Sequence, residues 1–546
     1  MKIFLGLLAI IAAANVLFAQ TVSTNASLLT REEQIIAASM VASAPQFNGA
    51  RVVGIYPGTP LIYSLVVSGK WPITFSIKNL PTGLRLDSQT GIITGMLTNK
   101  GEFAFTASAK NSAGTATAKI KIVCGDSLAL TPPLGWNSYD CFGDNVIESE
   151  VLANAQYLKE KMQPFGWDTV VVDYCWSDPG AHDNNRNARA NAPLVADKFG
   201  RMLPAPNRFP SAADGFGFKP LADAVHALGL KFGIHIMRGI PRNAVNANLP
   251  IEGSTFTAAA AANTNDKCAW CPDMFGVSSN AAGQAWYDSC ARLWSSWGVD
   301  YIKVDDLSRP YHTAEVEMVR SAIDRSGRAI EFSTSPGETP VADAQHILTH
   351  ANLWRVSDDF WDNWKYLDHE FTLAARWHAY AAPGHWPDAD MLPLGHLSVS
   401  HRSVGNDRHT HFTRDEQLTL ISMWSLLPSP LMVGANLPDN DAWTLALLTN
   451  PEVLAVNQDA LGLAAQRMTN APVGVEIWTK KLADKSLAVG IFNRGKSAAS
   501  VNLVWKELGL RASPVVRDLW VRQDLAKAKN FAAEIPPHGC VLLKVD

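Results

Sequence analysis

Val299-Asp300-Tyr301-Ile302-Lys303-Val304-Asp305-Asp306 is the stretch from which the fold of this chain can be read. It runs apolar and β-branched from Gly298 and closes in a lysine and two carboxylates before Pro310. A run of this length and composition, with such boundaries, predicts a buried parallel strand rather than a helix. In an α/β barrel the C-terminal tip of each strand opens into the active site, so polar tip residues face a ligand while the strand stays dry. About fifty residues on, Leu353-Trp354-Arg355-Val356-Ser357-Asp358-Asp359 repeats the pattern. Two strand tips offering carboxylates to one pocket meet the needs of glycoside hydrolysis, one group to attack the sugar and one to protonate the leaving oxygen. Singly, each Asp could as well be a helix cap or half of a solvated ion pair; together they favour chemistry.

Working outward, residues 130–462 alternate apolar strands with helical segments. Strands are expected near 134–138, 169–175, 231–237, 299–305, 329–335, 352–357, 384–390 and 429–434, which predicts a (β/α)8 barrel with loop insertions. Before it, residues 44–124 change to short alternating runs with Gly turns, among them Phe103-Ala-Phe-Thr-Ala-Ser-Ala-Lys110. That texture predicts a small antiparallel β-sandwich. After the barrel, residues 463–546 return to it, as in Leu487-Ala-Val-Gly-Ile-Phe-Asn493, and predict a C-terminal antiparallel β-sandwich. Residues 1–19 read as a secretory signal, with Lys2 before an apolar run, and imply a secreted or periplasmic protein. Residues 20–43 read as a linker with a short helix from Arg31 to Met40.

At 546 residues the chain exceeds one ordinary core. A net charge of −4 offers nothing to nucleic acid or to an anionic membrane surface. No run after the leader reaches the roughly 20 apolar residues of a membrane helix. The 18 Trp suit sugar recognition, since indole faces stack on sugar rings. Seven Cys leave at least one unpaired, and Cys268-Ala-Trp-Cys271 reads as a local bridge or two thiols.

The barrel residues resemble glycoside hydrolase family 27, the α-galactosidase (melibiase) family. The resemblance rests on Pro132-Pro-Leu-Gly-Trp-Asn-Ser-Tyr139, Val171-Val-Asp-Tyr-Cys-Trp176, Asn207-Arg-Phe-Pro210, the Lys303-Val-Asp305 tip and Trp354-Arg355 with Asp359. Trp386-Pro-Asp-Ala-Asp-Met-Leu392, Ser429-Pro-Leu-Met432 and Val456-Asn-Gln-Asp-Ala-Leu-Gly462 complete it. Residues 81–95 similarly resemble the immunoglobulin-like domains of bacterial extracellular enzymes. The family resemblance implies a retaining exo-glycosidase without cofactor or metal, with a carbohydrate as its partner. Asp305 would be the nucleophile and Asp359 the general acid/base. Trp136, Tyr139, Asp173, Tyr174, His235, Lys303, Ser335, Arg355 and Asp390 would bind the sugar. Lys303 is expected to keep Asp305 ionised, and partial burial to keep a proton on Asp359. Asp306 and Asp358 are expected to be structural, because alternate strand residues point opposite ways.

The shell departs from the family pattern. Tyr174 stands where a second Asp is usual, Ser335 where a Glu is usual (with Glu338 a conceivable replacement), His235 for a Tyr, Tyr139 for a Trp and Leu307 for a Cys. Hydrolysis of terminal α-D-galactosyl residues is the first expectation. A β-L-arabinopyranosidase or an isomalto-dextranase of the same family stands beside it, and a non-catalytic carbohydrate-binding or adhesion protein further off. The four-histidine loop Gly395 to His411 matches no metal-ligand spacing and is expected to overlie the barrel mouth.

Overall fold

The computed structural model describes residues 29–181, 193–268 and 270–546, so the leader expected over residues 1–19 lies outside the described residues. Its centre is a ring of eight parallel strands: β1 (Leu134–Asn137), β2 (Thr169–Val172), β3 (Lys231–Met237), β4 (Tyr301–Asp305), β5 (Glu331–Thr334), β6 (Leu353–Arg355), β7 (Trp386–Asp388) and β8 (Leu431–Val433). Each falls at a site expected from the sequence. Sheet order runs β7-β6-β5-β4-β3-β2-β1-β8. A parallel bridge between Leu392, just past β7, and Val433 of β8 closes the barrel.

Strand alternation divides the side chains. In β4, Ile302 and Val304 are fully buried in the helix-facing core, whereas Tyr301 joins Val171, Leu353, Met391 and Met432 in a separate cluster inside the ring. Lys303 and Asp305 share the parity of Tyr301 and so face the barrel interior. The sequence pattern thus delivers a lysine and a carboxylate to the same side of one strand.

The N-terminal sandwich packs a four-stranded sheet (Val52–Ile55, Gly114–Cys124, Gly101–Asn111, Thr74–Lys78) on a three-stranded one (Pro60–Ser64, Ile92–Met96, Leu84–Leu86). Phe75, Ile93, Phe105 and Ile122 fill its core. One expectation is corrected: Val52–Ile55 pairs in parallel with Gly114–Cys124, so the sandwich is not wholly antiparallel. A parallel partner needs a crossover, which the intervening strands supply. The expected N-terminal helix is present at Arg31–Ala38, its start fixed by a capping box of Thr30 and Glu33.

In the C-terminal domain a six-stranded sheet (Gln466–Arg467 through Cys540–Val545) faces a pair, Ala499–Val504 and Asn530–Ile535. Val475, Ile477, Val489 and Ile491 pack between the two sheets. Trp478, Phe492 and Leu542, one residue out of phase, join the barrel core. The sheet therefore has two dry faces and packs one of them on the barrel.

Candidate active site

At the C-terminal ends of the strands a pocket is lined by Tyr139, Asp173, Tyr174, His235, Lys303, Asp305, Ser335, Arg355, Asp359 and Asp390. Ten of the eleven residues expected from the sequence therefore meet in one place, counted over that lining. Trp136 is the exception and is corrected. It is fully buried, and its indole N–H donates to the Ala435 carbonyl at 2.8 Å. Its neighbour Asn137 turns inward to Asp173, so strand alternation sends Trp136 outward into the helix-facing core instead of to the pocket.

Asp305 ends β4 buried, with both carboxylate oxygens engaged. Oδ1 accepts the Asp306 N–H at 2.5 Å, and Oδ2 lies 3.1 Å from His235 Nε2. The following residue, Asp306, takes a positive φ of 62°, which turns the chain away at the tip. Its own side chain is held by Arg238 Nε at 2.9 Å, so it braces the tip and leaves Asp305 to face the pocket. Asp358 pairs with Arg309 at 2.5 Å on the surface.

The expected pairing of Lys303 with Asp305 is not the dominant one. Lys303 Nζ lies 3.5 Å from Asp173 Oδ2, and the basic side chain directly on Asp305 is His235. His235 bridges the two carboxylates, with Nδ1 2.8 Å from Asp173 Oδ1. Burial disfavours charge on the ring, but the facing Asp173 outweighs it and raises the His235 pKa. Burial likewise opposes the Asp173 charge, and His235 with Lys303 overcomes it, so this carboxylate stays well below its usual range. Asn137 Nδ2 at 2.7 Å and the Tyr174 N–H at 2.8 Å complete its shell. Asp173 is thus chiefly the anchor that orients His235 and Lys303.

Asp359 sits differently. Partial burial was expected; instead its side chain is 66% exposed, with Arg355 Nη2 at 3.3 Å. Arg355 also grips Asp390 at 2.8 Å, and Asp390 accepts the Phe360 N–H at 2.8 Å, which fixes the turn that carries Asp359.

Tyr174 forms one wall. Its ring meets Trp270 edge-on at 5.8 Å and His235 at 6.0 Å, and its hydroxyl lies 2.7 Å from Cys271 Sγ. It therefore presents an aromatic edge where the family pattern places a carboxylate. Ser335 Oγ is buried in the lining with no protein partner, so it is a group for a ligand hydroxyl to satisfy. Glu338 does not replace the missing Glu: it pairs with Arg376 at 2.7 Å, outside the lining.

Sequence reading missed Asp140, Trp270, Pro336, Phe360, Trp361 and Met391. Asp140 follows the first motif directly. Gly434 makes room for it, since a Cβ there would fall 2.0 Å from Asp140 Oδ2. Trp270 arrives on a three-stranded antiparallel insertion (Ile240–Pro241, Ala262–Lys267, Met274–Val277) after β3. Its one sequence signal was the Trp inside the Cys268–Cys271 segment. Both of those cysteines are free buried thiols, which decides between the two readings. The histidine loop is tied to the same tip: Arg408 and His411 hold Asp362 at 2.7 and 3.2 Å, and His396 lies between Asp407 and Asp439.

Family models match across most of this site and in the domains on either side of the barrel. "Alpha galactosidase A" covers residues 274–459, "Alpha galactosidase C-terminal beta sandwich domain" covers 473–545, and an Ig-domain model covers 44–124. An α-galactosidase from Cyamopsis tetragonoloba is 30% identical over 76% of this chain and 86% of its own length. The crystal structure of a GH27 β-L-arabinopyranosidase from Geobacillus stearothermophilus is 47% identical, covers 77% of this chain and 97% of its own, and superposes with a TM-score of 0.74. A Bacteroides fragilis structure provisionally described as an α-galactosidase/melibiase is 27% identical over 94% of this chain and all of its own, with a TM-score of 0.76.

Proposed function

The chain belongs to glycoside hydrolase family 27, the α-galactosidase family, and is a glycoside hydrolase; on that premise we propose a retaining exo-glycosidase that prefers terminal β-L-arabinopyranosyl residues. The observation that carries the sugar is the Tyr174–Trp270 wall. β-L-Arabinopyranose is α-D-galactopyranose without its exocyclic hydroxymethyl group, so the two sugars differ by one polar arm. A wall whose only hydroxyl is engaged by Cys271 gives that arm no charged partner. Burying an unpaired hydroxyl costs about 1–3 kcal/mol. The likeness to the Geobacillus β-L-arabinopyranosidase supports the same choice. Hydrolysis of α-D-galactosides, the first expectation from the sequence, becomes the second reading, favoured by the curated α-galactosidases.

The mechanism follows from the two environments. Asp305, buried and held by an N–H and by His235, is oriented for attack on the anomeric carbon. Asp359, exposed at the pocket beside Arg355, donates a proton to the leaving oxygen as that bond breaks. A water then enters, Asp359 takes its proton, and the glycosyl–Asp305 ester is cleaved from the same face. His235 steadies the Asp305 carboxylate as it departs in the second step. Configuration is retained through two inversions.

A panel of matched aryl glycosides tests both parts. Faster turnover of the β-L-arabinopyranoside, with NMR showing its anomer of unchanged configuration formed first, supports the reading. Faster α-galactoside turnover selects the second reading, and a first-formed product of opposite configuration overturns the double displacement.

A further inference from the structure

Outside the lining of the sugar pocket, the described residues contain two groupings of three ligand-type side chains with converging donor atoms. One, of Asp266, His312 and Glu315, already holds a cation: Arg238 donates to Asp266 at 2.9 Å and to Glu315 at 2.7 Å. A metal there would have to displace a buried guanidinium. The other, of Glu317, His346 and His350, has no such occupant, and its donor atoms lie within 4.8 Å of one another.

We propose that Glu317, His346 and His350 form a binding site for a borderline divalent cation of the Zn2+ type. His346 and His350 lie one helical turn apart on Ala344–His350, their rings stacked at 4.2 Å, and Glu317 reaches them from Thr313–Arg325. Ligand spacing is close to what the ion requires. Two donors about 2.05 Å from a tetrahedral Zn2+ stand about 3.3 Å apart, and His346 Nε2 lies 3.2 Å from Glu317 Oε1. Each imidazole is also steered by its other nitrogen. His350 Nδ1 lies 2.8 Å from the His346 carbonyl, an acceptor, so it carries the proton and leaves Nε2 with its lone pair. His346 Nδ1 lies 2.6 Å from the Tyr311 hydroxyl. Outer partners of this kind fix ring orientation at metal centres. With only three protein ligands on a partly exposed surface, the fourth position falls to water. The ion would clasp two barrel helices and, through Tyr311, the segment that follows the Asp305 tip. Imidazole and carboxylate donors favour Zn2+, Ni2+ or Cu2+ over Ca2+ or Mg2+.

Full-length protein stripped with a chelator is titrated calorimetrically with Zn2+, and separately with Co2+ as a spectroscopic probe. One Zn2+ per chain and a rise in the thermal midpoint are expected. Glu317→Gln should weaken that binding at least tenfold, and His346→Ala with His350→Ala should abolish it. Tyr311→Phe should weaken it ten- to a hundredfold, as losses of outer partners do. Co2+ should give visible bands of low coordination number that the double variant lacks. Absence of binding by the unaltered protein, or equal binding by the folded double variant, overturns the proposal.

Discussion

Replacing Tyr174 with Asp should turn the enzyme toward galactosides. The unaltered ring stands edge-on to Trp270 at 5.8 Å and uses its hydroxyl on Cys271 at 2.7 Å. A shorter carboxylate in its place opens room for a hydroxymethyl arm and offers it a charged acceptor. A hydrogen bond to a charged group contributes about 1.5–3 kcal/mol. Loss of the aromatic contact costs about 0.5–1.5 kcal/mol, but both substrates bear that loss, so it cancels from their ratio. The ratio of kcat/KM for α-D-galactoside over β-L-arabinopyranoside should therefore rise by about 1–3 kcal/mol, or about 5- to 150-fold. Both absolute rates should fall, because a new carboxylate beside Asp173 and Asp305 perturbs the field around His235. The assay is initial rates on the two matched p-nitrophenyl glycosides. Tyr174→Phe is the control: it keeps the wall and loses only the contact to sulfur, so its ratio should stay near that of the unaltered enzyme. If Tyr174→Asp lowers both rates together and leaves the ratio in place, the wall does not read the sugar.

Asp305→Gly should abolish hydrolysis, and azide should restore part of it as a glycosyl azide of inverted configuration; full activity without azide would show that another carboxylate attacks. Asp359→Ala should retain first-step activity on dinitrophenyl glycosides, whose leaving groups need little protonation, while ordinary alkyl glycosides lose it; equal losses on both would refute the acid role. Lys480 concerns stability. Burial pushes its ammonium down to about 7, only partly offset by Asp459, whereas an unfolded lysine titrates near 10.4. Between those values the unfolded chain binds the extra proton, so stability rises with pH, and the destabilisation is complete below about 7. Lys480→Met should raise the thermal midpoint most near pH 6.5, with the gain shrinking toward pH 10; a gain independent of pH would show that the amine stays charged through its bonds to the Ser425 and Val456 carbonyls.

The barrel was legible because its strands obey two simple constraints. Residues such as Val170, Ile302 and Phe332 must be apolar to sit between ring and helices, and the tip residues must be polar to face a ligand. Those constraints act along a few consecutive residues, so a short stretch of sequence records them. Contacts between distant segments leave no such record. Nothing local says that His235 lies across from both Asp173 and Asp305, which puts a histidine where Lys303 was expected. Trp136 misled for a related reason. Its motif is a family signature, but within that motif Asn137 takes the inward parity and leaves Trp136 to pack outward against the helices. Trp270 stood in an insertion with no periodic pattern, and only its fold onto Tyr174 makes it part of the pocket.

The N-terminal sandwich can be placed by the same reasoning about ends of strands. Ser64 donates to the Gly229 carbonyl at 2.8 Å, and Asn48 to the Pro164 carbonyl at 2.9 Å. Both acceptors precede barrel strands, so the sandwich lies under the N-terminal ends of the ring, with Lys231, Asp300 and Glu331 in the cleft between them. Lys231 joins Asp168 at 3.4 Å and Glu331 at 2.9 Å there. Burial raises the Glu331 pKa despite Lys231. The candidate catalytic carboxylates Asp305 and Asp359 lie at the opposite ends of the strands. A domain so placed contributes no residue to the lining that holds Asp305 and Asp359. What it does supply is cover for the face of the barrel where conservation of structure, rather than chemistry, is the expected demand.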